Sequence, residues 1–342
     1  MLCLTIQQPQ QQQQQQPQPQ ASTSPTTQRA LALRDNIWRH DLTKQPLSEL
    51  NVVVFGGTSE QRQWVKYIVE NHLQPYVFIK FLITLLDNVD DINKSIYKDY
   101  HIRCALRGTP QKYIDRDMDN RLGTTPYTVS VAWSKVGRDA SRVSHPYCTM
   151  YLGYLDDYST RSLVSMNTGK VIIHEFLHAL GFLHEQVHPR VPIRWNKAKV
   201  YEYFQGPPNN WNKSTIDLNL FKMFDESETK STEYDKSSIM HYYFPRELIQ
   251  NYDEVGDIPI NTHLSSNDIE LLGRLYGEGV YTDYQFNIDK LLGYRPISVI
   301  GVVLGVLVAI PIYLSRSVMK VFAVIAYILF VIMINYLVMK LN

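Results

Sequence analysis

Residues 174–184 constrain this chain more than any other segment, and they read His-Glu-Phe-Leu-His-Ala-Leu-Gly-Phe-Leu-His. The apolar residues in and around this segment predict a helix that runs through the protein core. His174 and His178 are four residues apart, so they lie on the same side of that helix and can bind one metal ion. Gly181 can adopt a left-handed conformation and end the helix, which lets the chain bend and bring His184 back as a third ligand.

This arrangement predicts a catalytic zinc site rather than a structural one. Three neutral imidazole ligands leave a fourth coordination position open for water. Glu175 directly follows the first histidine, so its carboxylate can reach that water. Zinc lowers the pKa of the water, and Glu175 is predicted to take its proton and return it to the leaving amine. A bare H-E-x-x-H motif also fits an ordinary helix with two surface histidines, but the full eleven-residue pattern favours one zinc ion per chain.

A second segment, residues 234–242, reads Tyr-Asp-Lys-Ser-Ser-Ile-Met-His-Tyr. Together with the histidine segment it resembles the metzincin signature, and the sequence Ser-Ile-Met-His-Tyr, with Glu185 after the third histidine, resembles the astacin branch. The resemblance implies that Met240 packs beneath the zinc ligands. It also implies that Tyr242 ligates zinc at rest and swings to stabilise the oxyanion, and a phenol beside a polarised carbonyl is a chemically reasonable donor for that role.

The resemblance covers about residues 30–277 and includes three further segments, residues 133–137, 194–196 and 264–268. It implies an α/β (α+β) metzincin domain of two lobes, with a mixed twisted sheet and the active-site helix in the upper lobe. In such a domain, the strand predicted at residues 147–155 corresponds to the sheet edge lining the cleft, where an extended substrate could pair.

Local patterns predict further elements of this domain. A β-branched run followed by two glycines indicates a strand and a turn, and Thr58 or Ser59 can cap a helix that runs to about His72. One apolar run could be a strand or a helix segment. The predicted strands are residues 51–55, 101–106 and 127–133, and the undecided run is residues 76–86.

The chain departs from typical astacins in two respects. Residues 186–190 read Gln-Val-His-Pro-Arg where those proteins have an Arg- and Asp-rich stretch, so a preference for acidic substrates is not carried over. The chain also lacks their cysteine set and an evident propeptide cleavage site. Glu185 is therefore either the partner of a freed N-terminus or a group that supports the ligands from the helix end. Since three ligands are already assigned, His188 and His241 are not predicted to bind the metal.

The three cysteines cannot build a disulfide framework. At most one bridge, between Cys104 and Cys148, is possible, but the sequence favours two buried or half-buried thiols in a reducing compartment. The formal net charge of +1 gives no reason to expect a nucleic-acid partner.

Composition divides the chain into three parts. Residues 1–29 are rich in Gln and Pro and are predicted to be a disordered tail, with a Gln-rich interaction tract as the alternative. Residues 30–285 are predicted to be the catalytic domain. Residues 286–342 are predicted to be a membrane hairpin, because residues 297–314 and 321–339 are uncharged and each is long enough to span a bilayer as a helix. The alternative is a buried helical pair in a soluble core.

A two-span hairpin would place the catalytic domain and the end of the chain on the same side of the membrane. No secretory signal is recognisable and nearly 300 residues precede the first span, so the domain is predicted to face the cytosol. Two glycosylation acceptor sequences, residues 93–95 and 212–214, point the other way but are short enough to arise by chance.

The sequence therefore predicts a zinc-dependent metalloendopeptidase that acts on protein or peptide substrates and contacts the lipid bilayer through its hairpin. One alternative is a catalytically inactive metzincin-fold binding module anchored to a membrane. A second is a membrane-hairpin scaffold that recruits partners through the Gln-rich tail. A third is a zinc exopeptidase.

Overall fold

The structure is a computed structural model. It describes residues 2–4, 30–41, 43, 45–114, 132–153, 164–207, 209–231 and 233–277. The described strands are β1 (Leu2–Leu4), β2 (Leu31–Leu33), β3 (Glu49–Phe55), β4 (Lys80–Leu85), β5 (Ile102–Leu106), β6 (Ala132–Lys135), β7 (Met150–Leu152) and β8 (Thr229–Ser231). The described α-helices are α1 (Ser59–Ile68), α2 (Val164–Ala179), α3 (Lys197–Gln205), α4 (Lys213–Ile216), α5 (Tyr252–Val255) and α6 (Ser266–Tyr276).

Most of the described strands belong to one mixed sheet, in the order β1-β6-β7-β5-β3-β4. Strands β4, β3, β5 and β7 are parallel to one another, whereas β6 is antiparallel to β7 and β1 is antiparallel to β6. Strands β2 and β8 pair antiparallel in a small second sheet. A mixed sheet combined with helices agrees with the predicted α/β class.

Strand β3 shows that the sheet is buried on both faces. Val52 and Val54 belong to a hydrophobic cluster that includes Phe176 of α2, whereas Val53 and Phe55 belong to a second cluster. Because successive side chains of a strand point to opposite faces, the two clusters lie on opposite faces of the sheet. The continuous apolar run of β3 is what a parallel strand covered on both faces requires, and the strand predicted at residues 51–55 is confirmed.

The start of α1 is fixed by a capping box. The Gln61 N–H donates to the Thr58 hydroxyl at 3.2 Å, and the Thr58 N–H donates to the Gln61 side chain at 2.8 Å. Of the two predicted caps, the structure therefore uses Thr58 rather than Ser59. The helix predicted to run to His72 continues beyond α1 as a π-helical segment, Val69–Leu73.

Two of the remaining strand predictions are resolved by β4 and β6. The undecided run at residues 76–86 contains a strand, β4. The strand predicted at residues 127–133 is observed from Ala132 onward as β6, and residues 127–131 lie outside the described part of the chain.

The prediction that residues 147–155 form the sheet edge beside the cleft is wrong. The strand in this segment, β7, lies between β5 and β6: Met150 pairs with Cys104 on one side and with Ser134 on the other. Both rows of its backbone groups are therefore used within the sheet, and neither is left for a substrate strand. The neighbouring strand β6 pairs on its outer side with β1.

The two cysteines for which a bridge was possible are not joined by a disulfide, and both are buried. Cys104 of β5 lies in the cluster that contains α2, whereas Cys148 lies in the cluster on the opposite face of the sheet. Because the sheet separates the two sulfurs, the structure agrees with the favoured prediction of two thiols.

No helix within the described residues is both long enough and apolar enough to cross a bilayer. The predicted membrane spans, residues 297–314 and 321–339, lie outside the described part. Of the predicted disordered tail, residues 1–29, the structure describes only residues 2–4, which form strand β1. The predicted domain bounds and the hairpin therefore stay predictions.

Candidate metal centre

The metal-binding segment begins on α2 and turns sharply where that helix ends. The Phe182 N–H donates to the Leu177 carbonyl at 3.0 Å, and the Gly181 N–H donates to the His178 carbonyl at 2.8 Å, which is the Schellman pattern. Gly181 has a φ of +99°, and a Cβ at this position would lie 3.0 Å from the Ile37 side chain. Both the backbone conformation and the available space therefore favour glycine here, and the helix ends where the sequence predicts.

This turn brings His184 to the two histidines of α2. One nitrogen from each of His174, His178 and His184 lies within 4.8 Å of the others. The His178 and His184 Nε2 atoms are 3.0 Å apart, and the His174 ring centroid is 4.7 Å from that of His178 and 5.3 Å from that of His184. All three side chains are buried. Within the described residues, no other group of three or more His, Cys, Asp or Glu side chains is placed to hold a metal ion.

Backbone carbonyls orient two of the three rings. His174 Nδ1 lies 2.9 Å from the Ile239 carbonyl, and His178 Nδ1 lies 2.8 Å from the Phe182 carbonyl. A carbonyl can only accept, so each Nδ1 carries the proton and each Nε2 keeps a free lone pair, as metal-binding histidines require. His174 Nε2 is buried and has no hydrogen-bond partner among the described residues, which is the state of a nitrogen positioned to bind a metal.

Burial keeps the three histidines neutral. It lowers the pKa of His174 to about 4, and it is also the main cause that holds the pKa values of His178 and His184 well below the ordinary range. Repulsion between the neighbouring rings lowers the pKa values of His178 and His184 further. At neutral pH all three therefore offer lone pairs rather than protons. Three neutral imidazole nitrogens are a donor set that suits zinc.

Glu175 lies directly after the first of these histidines and is fully buried. Its carboxylate contributes to raising the pKa of the Cys104 thiol on β5. Burial is the largest cause of that raised pKa, Cys148 is the second largest and Glu175 is the third. The structure therefore places an acidic side chain inside the protein next to the predicted ligands. Its role as general base stays a prediction.

The turn at residues 238–241, called the methionine turn below, lies next to the predicted ligands and is tied to α6. The Met240 N–H donates to the Ser238 hydroxyl at 3.0 Å, and that hydroxyl donates to Asp268 at 2.7 Å. The other Asp268 carboxylate oxygen accepts the Ile239 N–H at 3.0 Å. Met240 is 1% exposed and belongs to the hydrophobic cluster of α2. Because the Ile239 carbonyl also orients His174, the turn acts as a support for the metal-binding ring.

Sequence reasoning missed the supporting role of Asp268. Burial raises its pKa to about 6, and three donors from the turn and the cap of α6 stabilise its carboxylate. A local signal was present, because Ser265 and Asp268 form the capping box of α6. That pattern predicts the start of a helix, but it does not reveal that the same carboxylate reaches a turn some thirty residues earlier.

Tyr242 lies beside two of the predicted ligands. Its ring centroid is 4.2 Å from that of His184 and 6.2 Å from that of His174, and the side chain is 3% exposed. The backbone at this position is fixed by His241, whose Nδ1 lies 2.6 Å from the Tyr242 carbonyl, while its Nε2 lies 2.7 Å from the Tyr234 hydroxyl. Both nitrogens of His241 are therefore used in hydrogen bonds.

Glu185 and His188 both make hydrogen bonds within the protein. The Glu185 N–H donates to the Met240 carbonyl at 3.1 Å, and its carboxylate accepts the Asp235 N–H at 2.8 Å, so it joins the third ligand to the methionine turn. His188 lies outside the ligand group, and its Nδ1 accepts the Arg190 N–H at 3.0 Å. The structure thus uses Glu185 as a support at the helix end.

Comparison with known proteins finds zinc metalloproteinases. No protein-family profile matches the chain. Two curated proteins named zinc metalloproteinase dpy-31, from Haemonchus contortus and Teladorsagia circumcincta, are each 30% identical to it over 125 residues, which is 32% of this chain. The matched parts are 20% and 18% of those proteins, so this chain spans about a fifth of the length of the curated relatives it matches.

Among solved structures, myroilysin superposes with a TM-score of 0.55 at 26% sequence identity, over 73% of this chain and 99% of that protein. These findings and the three histidines support an astacin-like zinc-protease fold. A hatching-enzyme zinc protease from the medaka fish, Oryzias latipes, also matches over 71% of this chain and 94% of its own, at 16% identity and a TM-score of 0.37.

Proposed function

We propose that this chain is a zinc metalloendopeptidase that hydrolyses internal peptide bonds of protein or peptide substrates, with one zinc ion held by His174, His178 and His184. The observation that carries the proposal is the convergence of three buried, neutral imidazoles with Glu175 directly beside the first of them. The zinc metalloproteinases and the protease fold found by comparison support the same reaction class.

Zinc, when bound, supplies Lewis acidity, which polarises a substrate carbonyl and lowers the pKa of water towards neutrality. Glu175 takes a proton from the attacking water and passes it to the nitrogen of the leaving amine. The peptide bond is cleaved to a carboxylate and an amine, and Glu175 returns to its starting state.

Tyr242 is the proposed donor to the oxyanion that develops on the substrate carbonyl. Its ring lies beside His184, and the hydrogen bonds of His241 hold its backbone in place. A donor fixed before the reaction stabilises developing charge without reorganisation during the step. Met240 and Asp268 serve this site indirectly, since they shape and anchor the turn on which Tyr242 is placed.

The alternative of an inactive binding module is less well supported. Loss of chemistry in such a domain would be expected to remove a ligand or the base, and here all three histidines and Glu175 are present. The hydrogen bonds of His174 and His178 also fix the tautomer in which each Nε2 presents its lone pair for metal binding. A simple scaffold would not require this arrangement.

The purified full-length protein should contain zinc and cleave unfolded casein at internal bonds. Chelation should abolish cleavage, and added zinc should restore it, because the proposed base needs the acidity that zinc supplies. Mass spectrometry of the products distinguishes internal fragments from released terminal residues. Products confined to terminal residues would identify an exopeptidase, zinc without any cleavage would identify a binding module, and full activity in metal-free protein would refute the zinc mechanism.

We also propose that residues 286–342 form a membrane hairpin with spans at 297–314 and 321–339, and that the catalytic domain faces the cytosol. The uncharged apolar runs support the hairpin, since each reaches about 30 Å as a helix. A cytosolic, reducing compartment suits the two buried thiols, Cys104 and Cys148.

The orientation can be tested through the two glycosylation acceptor sequences. Asn93 and Asn212 are exposed, so a domain in the secretory pathway would present both to glycosylation. We expect that glycosidase treatment of the expressed full-length protein leaves its mobility unchanged. A shift that disappears in the Ser95→Ala, Ser214→Ala double variant would place the domain in the lumen or outside the cell. This variant removes both acceptor sequences and keeps the two asparagine side chains, each of which makes hydrogen bonds.

A further inference from the structure

A cavity of about 460 Å³ lies between the β2–β8 sheet and helix α6, and none of the predicted metal-site residues lines it. Its volume falls within the range of small-molecule binding pockets. The chain has a net charge of only +1, yet the ionisable residues that line this cavity are almost all cationic. They are Arg34, Arg39, Arg190, Lys230 and Arg274, against the single acid Glu226.

Some of this positive charge is already neutralised. Arg190 lies 3.0 Å from Glu226 and 2.8 Å from Glu233, and Arg274 forms an ion pair with Glu270. The other cations of the cavity form no ion pair with any residue that the structure describes. These unpaired cations are Arg34, Arg39 and Lys230.

Arg39 is the least satisfied of the three. Its Nε atom is buried and has no hydrogen-bond partner within the described residues. The backbone at this position is anchored, because the Trp38 N–H donates to the Tyr276 hydroxyl at 3.2 Å and Arg39 forms a β-bridge with Pro46. A buried donor without an acceptor is unfavourable. A carboxylate or phosphate supplies acceptors in the fork geometry that guanidinium groups bind best.

The other two cations approach the same cavity from its two strands. Arg34 follows β2, and its guanidinium reaches only a backbone carbonyl, that of Thr229, at 3.4 Å. Lys230 lies on β8 with an exposed side chain. Leu271 and Leu275 of α6 also line the cavity, but they belong to the hydrophobic core and are only 3% and 4% exposed. The surface that the cavity offers to a ligand is therefore mainly polar and cationic.

We propose that this cavity is a binding site for an oxyanion-bearing ligand, a carboxylate or a phosphate, with Arg39 and Lys230 as its principal contacts. Both a free phosphate and the carboxylates of an acidic peptide segment carry the oxyanion that these cations would bind. The site shares no residue with the metal centre, so the ligand should bind whether or not zinc is present. The proposal therefore does not depend on the proteolytic function.

The test uses the full-length protein and two probes, inorganic phosphate and a fluorescent hexaglutamate peptide, at constant ionic strength. Binding is measured by thermal shift for phosphate and by fluorescence anisotropy for the peptide. Arg39→Gln and Lys230→Gln should each weaken binding about 10- to 100-fold, the effect of losing one charge-assisted hydrogen bond. Arg142→Gln is the matched control, because its side chain is 83% exposed, it does not line the cavity, and it changes the net charge equally.

Saturable binding that both cavity variants weaken and the control does not would support the site, and the better-bound probe would identify the source of the anion. Lys230→Gln keeps the experiment decisive if Arg39→Gln fails to fold, since Lys230 is exposed. An equal loss in all three variants would show only general attraction to a basic surface and would overturn the proposal. Absence of saturable binding of either probe to the unaltered protein would overturn it as well.

Discussion

His184→Ala should yield a protein that holds no zinc after dialysis at neutral pH and cleaves casein no faster than the buffer. His184 reaches the other two ligands only because the chain turns at Gly181, and its Nε2 lies 3.0 Å from that of His178. Without it, two imidazoles remain, fewer than the three protein ligands that catalytic zinc sites use. Metal content by mass spectrometry and casein cleavage measure the two losses separately.

The matched control is His188→Ala. This histidine is also buried and lies four residues further along the chain, but it is outside the ligand group and its Nδ1 accepts the Arg190 N–H. His188→Ala should therefore keep its zinc, even if the protein is less stable. Equal loss of zinc in both variants would mean that the metal depends on the fold of this segment rather than on His184. Full zinc content in His184→Ala would exclude it as a ligand.

The local part of this site is predictable from sequence because its geometry is set within a few residues. The spacing of His174 and His178 follows from the helical repeat, and the return of His184 follows from the positive φ that Gly181 supplies. Strand β3 is predictable for a similar reason, since its continuous β-branched run leaves no polar face.

The order of strands is not set locally, and there the sequence reasoning failed. Residues 147–155 carry an apolar strand pattern that is the same whether one side or both sides of the strand are paired. The position of β7 between β5 and β6 depends on partners that lie about fifteen to fifty residues away along the chain, Ser134 and Cys104. For the same reason, the opposite placement of Cys104 and Cys148 could not be read from their spacing.

The contacts that tune the metal centre are also long-range. The Ile239 carbonyl orients His174 from 65 residues away, and Asp268 holds the Ile239 N–H from 29 residues away. Backbone carbonyls carry no sequence signature, so no pattern of side chains predicts which one accepts from a given histidine. The ligands of such a site are readable from sequence, whereas their supports require the fold.

Glu175→Gln and Tyr242→Phe should each keep a full complement of zinc and lose at least about 100-fold in kcat. Neither residue belongs to the three-histidine group, so metal content should not change. Glutamine cannot take the proton of the attacking water, and loss of a general base typically costs about 10²- to 10⁴-fold. Phenylalanine keeps the ring beside His184 but removes the hydroxyl, and loss of one oxyanion donor typically costs about 10²- to 10³-fold. Steady-state kinetics on a fluorogenic peptide measure kcat and KM separately.

The two variants can be told apart by what each group is proposed to do. Tyr242→Phe should lower kcat with little change in KM, because the hydroxyl acts on charge that exists only in the transition state. A change confined to KM would make Tyr242 a substrate contact. Glu175→Gln should lose activity across the whole accessible pH range, since the group that exchanges the proton is absent at every pH. Near-normal rates in Glu175→Gln would show that another residue activates the water. Loss of zinc in either variant would show that the substituted residue itself helps to hold the metal, in addition to the three histidines.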